Sequence, residues 1–138
     1  MNQQEVLDAL AGLSLFSDLD RPQLQAVAHT MSEESFPAGQ RILRQGFSGS
    51  SFFIILDGEV SVRVDGNDIA SLGKGDFFGE ISLLLGEPPI ADIVAKGPVH
   101  ALQLSGPELR GFLLAYPTVM YRMLQSVSRR LDRANRRS

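Results

Sequence analysis

The sequence predicts a mainly β domain with flanking helices, an antiparallel barrel or sandwich entered and left through helical segments. Three observations carry that prediction. Between residues 35 and 104 short apolar runs recur at close spacing, separated by turns rich in Gly, Pro and Asp, which is the pattern of all-β sandwiches and barrels. Before and after that stretch, apolar residues recur every three or four positions, the helical period. At 138 residues, 43% of them hydrophobic, the chain is one ordinary domain able to bury a core of its own, which excludes wholesale disorder.

The elements follow in order. Val6, Leu7, Leu10, Leu13 and the Leu15–Phe16 pair predict a short amphipathic helix and then a turn. Asp20 before Arg21-Pro22 has the form of an N-cap with proline in the first turn, and the helix it opens would bury Leu24, Val27 and Ala28. Strands are predicted at 41–43, 51–56, 59–64, 68–72, 90–95 and 100–104. The turns between them are Pro37-Ala38-Gly39, Gly46 to Gly49, Asp57-Gly58, Asp65-Gly66-Asn67 and Gly73 to Gly75. Asp-Gly pairs between strands signal hairpins. Val60, Val62 and Val64 alternate with Ser61 and Arg63, as in a half-buried strand.

After Leu104 the helical period returns. Ser105-Gly106-Pro107-Glu108 has capping-box spacing and opens a helix through Leu109, Phe112 and Leu113, which Tyr116-Pro117 breaks. A longer helix carries Met120, Leu124, Val127, Leu131 and Ala134, spaced 4, 3, 4, 3. That is a heptad seam over two repeats. It fits a homodimer formed through this helix, and it equally fits one face packed on its own domain.

Charge and composition narrow the chemistry. Residues 1–118 carry 7 basic and 15 acidic side chains, whereas residues 119–138 carry 6 arginines against Asp132 alone. The body repels nucleic acid, and a basic helix end also complements the helix dipole. No cysteine is present, and His29 and His100 are the two histidines, so disulfides, thiolate chemistry and a histidine-rich metal site are excluded or disfavoured. No secretory leader or run of about 18 apolar residues is visible, so a cytoplasmic location is expected, without a membrane anchor. No nucleophile–base or acid–base pair stands out, and Gly46-Phe47-Ser48-Gly49 lacks the spacing of a nucleophile elbow. The expectation is a protein that is not an enzyme and has no metal site.

The informative stretch runs from Gly73 to Ala91, where Gly73-Lys74-Gly75-Asp76-Phe77-Phe78-Gly79-Glu80-Ile81-Ser82 leads into Leu83-Leu84-Leu85-Gly86-Glu87-Pro88-Pro89-Ile90-Ala91. A helix starting at Gly79-Glu80 would offer unpaired backbone N–H groups to an anion. Alternatively, Gly79 and Gly86 simply begin and end a short helix that packs Ile81, Leu84 and Leu85 inward. Glu80 has two readings as well, as a partner for a ligand hydroxyl or as an acid that favours the first helical turn.

This stretch resembles the phosphate-binding cassette of the cyclic nucleotide-binding domain family, to which the catabolite activator protein and kinase regulatory subunits belong. Gly75-Asp76-Phe77-Phe78-Gly79-Glu80 is the most specific likeness. Leu15-Phe16-Ser17-Asp18-Leu19 resembles the family's lead-in segment. Phe36-Pro37-Ala38-Gly39-Gln40-Arg41-Ile42 and Arg44-Gln45-Gly46 are similar to its first strands, and Phe53 to Val60 to its central hairpin. The resemblance implies an eight-stranded antiparallel β-roll, or jelly-roll, with N-terminal helices and a long C-terminal helix. It implies one domain over residues 1–138, with N-terminal helices at 1–34, the β-roll at 35–104, the cassette at 75–91 and C-terminal helices at 105–138.

In the family the cassette helix and an arginine hold the cyclic phosphate, and the glutamate accepts the ribose 2′-hydroxyl. The matching positions here are Gly79, Glu80, Ile81, Ser82, Pro89, Ile90 and Ala91. The departure is that the arginine position is Pro89, with Ile90 beside it. Losing a charge-assisted hydrogen bond of about 1.5–3 kcal/mol lowers affinity by roughly ten- to several hundred-fold, and proline brings neither charge nor N–H. Lys74 and Arg44 are the candidate substitutes for that charge, and Ile90 is a candidate to fill the pocket. Asp92 is expected to face outward.

The long helix implies a lid and, in dimeric members, the subunit contact, with Arg130, Ala134 and Asn135 near the lid positions. Arg130 would stack on a base or pair with an acid across a dimer; the alternative is a solvated arginine in a basic tail. The chain stops at Ser138 without room for a recognition helix, so the expectation is a stand-alone regulatory module with no DNA-binding domain. It calls for no cofactor. Three functions remain: a module acting through dimerisation or an unidentified protein partner, with weak or no ordinary cAMP or cGMP binding; a true sensor of a cyclic nucleotide or another small ligand; or the sensor half of a longer regulator.

Overall fold

A computed structural model describes residues 1–47 and 51–137, with side chains through Arg136. Ser48 and Gly49, in the predicted turn after Gly46, lie outside the described residues. The chain opens with α1 (Gln3–Ala11), a 3-10 turn (Ser14–Phe16) and α2 (Arg21–Thr30). Both helices start at reciprocal capping boxes, Asn2 with Glu5 and Asp20 with Gln23, each satisfying two otherwise orphaned N–H groups. Val6, Leu7, Leu10, Leu24 and Val27 are buried, while Ala28 is half-buried.

Eight strands follow: β1 (Ser32–Phe36), β2 (Arg41–Leu43), β3 (Ser51–Asp57), β4 (Val60–Val64), β5 (Asn67–Leu72), β6 (Phe77–Phe78), β7 (Asp92–Ala95) and β8 (Val99–Ser105). They form two antiparallel sheets, ordered β1-β8-β3-β6 and β2-β7-β4-β5, the β-roll that the resemblance implied. Two strands escape the periodic reading. β1 is too polar (Ser-Glu-Glu-Ser-Phe) and begins three residues before the expected start of the roll; β6 has only two residues.

The two Asp-Gly turns differ. Asp65-Gly66 joins β4 and β5 as a true hairpin, with Val64 opposite Asn67 and positive φ at both turn residues (52° and 81°), as a type I′ turn requires. Asp57-Gly58 is no hairpin, because β3 and β4 belong to different sheets. Pairing of β3 with β8 shifts register between Ile55 and Asp57, and Gly58 (φ 95°) turns the chain across with its Cα against Pro98 and Val99.

One apolar cluster joins the β1-β8-β3-β6 sheet to the helices through Leu10, Phe16, Val27, Phe52, Phe77 and Leu104; a second lies inside the roll around Phe53, Ile55, Val60, Phe78 and Ile93. Phe53 and Phe78 stack at 5.0 Å. The capping box expected at Ser105 does not form. Ser105 is still paired with Ser51 in β8, and the chain leaves it through a 3-10 turn (Gly106–Glu108) before α4 (Leu109–Ala115).

After Tyr116, α5 (Pro117–Arg137) crosses the molecule. Its first turns bury Val119 and Met123, and Arg122 makes a two-pronged ion pair with Asp18, at 2.8 and 3.0 Å. Thus the inward stripe is Val119, Met123 and Val127: Val127 belongs to the heptad reading, whereas Val119 and Met123 each lie one residue before its Met120 and Leu124. Met120, Leu124 and Leu131 are 39%, 60% and 61% exposed.

Candidate functional site

The cassette helix α3 (Glu80–Leu85) starts from Gly79 at φ 95° and stops at Gly86 at φ 67°. Both are left-handed conformations that favour glycine. The backbone of Gly79 lies so close to the Ser51 carbonyl oxygen that a side chain has no room, which fixes where the helix begins. The prediction that Ile81, Leu84 and Leu85 pack inward is overturned: they are 42%, 57% and 63% exposed, and the buried residues are Glu80 and Ser82. The helix turns Glu80 toward Arg130 and packs Leu83 partly against the core, while Ser82 bonds locally to Glu87.

Glu80 is 3% exposed. Arg130, fifty residues on in α5, donates to its Oε1 at 3.1 Å and to the Phe77 carbonyl at 2.7 Å. The same guanidinium lies over the Phe77 ring, 4.4 Å from its centre, a favourable cation–π geometry. Burial raises the Glu80 pKa above its usual value, while Arg130 and the Glu80 and Ile81 amides oppose the rise. Glu80 Oε2 is buried without a hydrogen-bond partner. Arg130 is therefore not the solvated arginine of a basic tail, and its acid partner is in its own chain.

Ser82 is spent locally: its hydroxyl donates to the Glu87 carbonyl at 2.5 Å, and the Glu87 N–H returns a bond to the Ser82 carbonyl at 3.1 Å. The Pro89 carbonyl accepts from the Gly46 N–H at 2.9 Å, tying the end of the cassette to the loop after β2.

These groups border a cavity of about 670 Å³, within the usual range for small-molecule sites. All seven cassette positions, Gly79, Glu80, Ile81, Ser82, Pro89, Ile90 and Ala91, line it. So do Val127, Arg130, Leu131 and Ala134 of α5, whereas Met120 and Leu124 lie outside it. Lys74 and Arg44 are not among the lining residues; Arg44 sits over Phe47 instead. Ile90 lines the cavity without filling it and stays 56% exposed. Asp92 is directed to the Gln45 N–H (2.7 Å) and to Arg41 (3.7 Å).

Several wall residues were missed from sequence: Val62, Val64, Ile69, Phe78 and Arg133. The alternation of Val60 to Val64 held a signal for two of them, since Val62 and Val64 share one face. Phe77, the platform for Arg130, gave none beyond its place in the motif. Among the described residues no cluster of His, Asp and Glu is arranged to hold a metal, and no helix is long and apolar enough to cross a membrane.

Comparison with known proteins fits this geometry. The sequence model for the cyclic nucleotide-binding domain matches residues 33–116. The chain is 35% identical over 100 residues to a cGMP-dependent protein kinase, egl-4, of Caenorhabditis briggsae, covering 68% of this chain and 13% of the kinase. A cyclic nucleotide-binding domain from Methylobacillus flagellatus superposes with a TM-score of 0.82 at 29% identity, covering 97% of this chain and 80% of that one. The regulatory subunit of a cAMP-independent protein kinase A from Trypanosoma cruzi, bound to guanosine, has a TM-score of 0.75 at 26% identity, covering 91% of this chain and 46% of that one. The chain belongs to the cyclic nucleotide-binding domain family, whose fold is regulatory rather than catalytic.

Proposed function

We propose that the protein is a cytoplasmic regulatory module, one unit over residues 1–138, in which cAMP and cGMP are not held in the ordinary way. The observation that carries this reading is the apolar phosphate end of the cavity. Pro89 stands at the arginine position, and the lining cations, Arg130 and Arg133, both come from α5. Arg130 is already committed to Glu80 and Phe77. Output runs through α5, whose exposed seam of Met120, Leu124 and Leu131 supports a homodimer or a protein contact.

Thermal unfolding with and without millimolar cAMP and cGMP tests this reading. A ligand at about 100 times its Kd stabilises by roughly 2.7 kcal/mol, a Tm rise of about 4 °C or more for a domain of this size. No rise is expected with either nucleotide; a rise of that size, confirmed by calorimetric titration, overturns the reading. Pro89→Arg combined with Ile90→Ala is expected to create binding.

A second reading is favoured by the cavity of about 670 Å³, which its own side chains leave open. It makes the module a sensor of a small ligand, for which a nucleoside is the candidate. The guanosine bound to the similar trypanosome subunit supports it. The same unfolding assay with millimolar adenosine and guanosine is expected to show a rise; its absence with both sinks this reading.

A further inference from the structure

The polar side chains around the cavity are, all but one, engaged within the protein. Ser71 accepts from Lys96, Asp76 accepts from the Gly73 N–H, Ser82 donates to the Glu87 carbonyl, and Glu80 and Arg130 hold each other. Arg133 is the exception: it lines the cavity, is exposed, and has no partner among the described residues. The walls offer apolar surface instead. Leu43, Phe78 and Ile93 are buried and form the floor, whereas Ile69, Ile81, Ile90 and Leu131 line the cavity yet stay exposed, which makes them its rim. Phe78 is the one aromatic ring among the described lining residues, and it is already stacked on Phe53. Aliphatic walls of this kind gain most from an alkyl chain, which buries their surface along with its own. An anion on the floor would lose water close to the carboxylates of Asp76 and Glu80; at the rim it keeps water and meets the Arg133 guanidinium.

We propose that the cavity takes a soluble amphiphile of the medium-chain fatty-acid class, its alkyl chain against the aliphatic walls and its carboxylate at the rim beside Arg133. This names a second class of ligand for the small-ligand sensor above and does not depend on the nucleoside, since apolar walls accept a base or an alkyl chain by the same burial. Chain length then sets affinity, and the single free cation of α5 selects an anionic head over a neutral or a cationic one. Because Arg133 belongs to α5, the head of the ligand would engage the same helix that carries the exposed seam.

Calorimetric titration of the wild-type protein with hexanoate, octanoate, decanoate, decanol and decyltrimethylammonium, each below its micelle-forming concentration, tests the proposal. Affinity is expected to rise about tenfold for every two carbons added to the acid, the worth of burying two methylenes. Decanoate is expected to bind more tightly than decanol, and decyltrimethylammonium more weakly than either. Arg133→Gln should weaken decanoate by about fivefold, as for an exposed ion pair, and leave decanol as it was. Ile90→Asp, on the exposed rim, should weaken both. No binding of decanoate, an affinity indifferent to chain length, or an equal loss of decanoate and decanol in Arg133→Gln overturns the proposal. Retention on phosphatidylglycerol vesicles without binding of free decanoate overturns it too, by making a membrane surface the partner. Any of these failures leaves the nucleoside reading in place, because that reading stands or falls with adenosine and guanosine in the unfolding assay.

Discussion

The two helices that border the cavity are held by opposite means. α5 begins as an ordinary amphipathic helix, seated by the apolar burial of Val119 and Met123 and pinned by Arg122 on Asp18. α3 buries a carboxylate and a hydroxyl and shows three large apolar side chains to solvent. Leu83 packs partly against the core, but apolar burial alone does not account for an orientation that leaves three of the four large apolar side chains of α3 outside. Backbone stereochemistry at Gly79 and Gly86 sets it, together with one ion pair to the far half of α5. The difference teaches that the firmly packed half of α5 lies outside the cavity, while the two elements that border it, α3 and the far half of α5, are joined to each other by a single guanidinium. Walls held in this way can respond to a ligand.

The sharpest break in this comparison is Gly79→Ala. At φ 95° an added Cβ would collide with the Ser51 carbonyl oxygen, so the cost combines left-handed strain with a backbone clash, about 3 kcal/mol or more. Gly86→Ala has the same handedness (φ 67°) but open space around it and should cost only about 1–2 kcal/mol. Urea midpoints measure both. Equal losses would mean that contact with Ser51 does not place α3.

Next in size is the packed half of α5. Met123→Ala empties a site 3% exposed and should cost about 2–5 kcal/mol. Its neighbour Leu124, 60% exposed, should accept alanine within about 0.5 kcal/mol. Sedimentation of Leu124→Glu then separates the seam from the core: a dimer that persists in this variant would move the subunit contact elsewhere.

Arg130→Ala probes the other half of the helix. It removes charged hydrogen bonds worth about 1.5–3 kcal/mol and leaves Glu80 buried without its cation. Amide exchange beyond residue 127 should quicken while exchange near Met123 holds steady. Uniform quickening along α5 would show that the helix moves as one body and that its two halves are not held independently.

What the sequence revealed follows the range of the forces involved. The Asp20 cap was legible because its partner Gln23 is three residues away, and the Asp65-Gly66 hairpin because its turn residues carry their own stereochemistry. Asp57-Gly58 has the same chemistry and misled, because whether β3 pairs with β4 is decided by β8 and β7, not locally. The cassette residues were legible by resemblance, and the structure brings all seven to one cavity. The orientation of α3 was not: Ile81, Leu84 and Leu85 satisfy a helical apolar period, and the partner that reverses it, Arg130, lies in another element. The heptad of α5 was visible, yet periodicity cannot say which of two adjacent stripes faces the core.

The smallest effect concerns the charge on Glu80. Burial pushes its pKa above the usual 4.5, and Arg130 and the nearby amides only partly counter that. A carboxyl whose folded pKa is raised favours the folded state most when protonated. Its contribution is therefore complete below about pH 4.5 and is lost as pH rises through the raised folded value. Glu80→Gln cannot titrate. The stability of the wild type relative to this variant should thus decline from pH 4.5 upward and then level off. Asp18, whose pKa Arg122 lowers, loses its stabilisation in the opposite direction, as pH falls, but it is common to both proteins and cancels in the difference. Urea unfolding of the pair between pH 4 and 8 reads that difference directly. A difference that grows with pH would mean that Arg130 more than repays the burial of the carboxylate, and that α3 is held by charge more firmly than its buried acid implies.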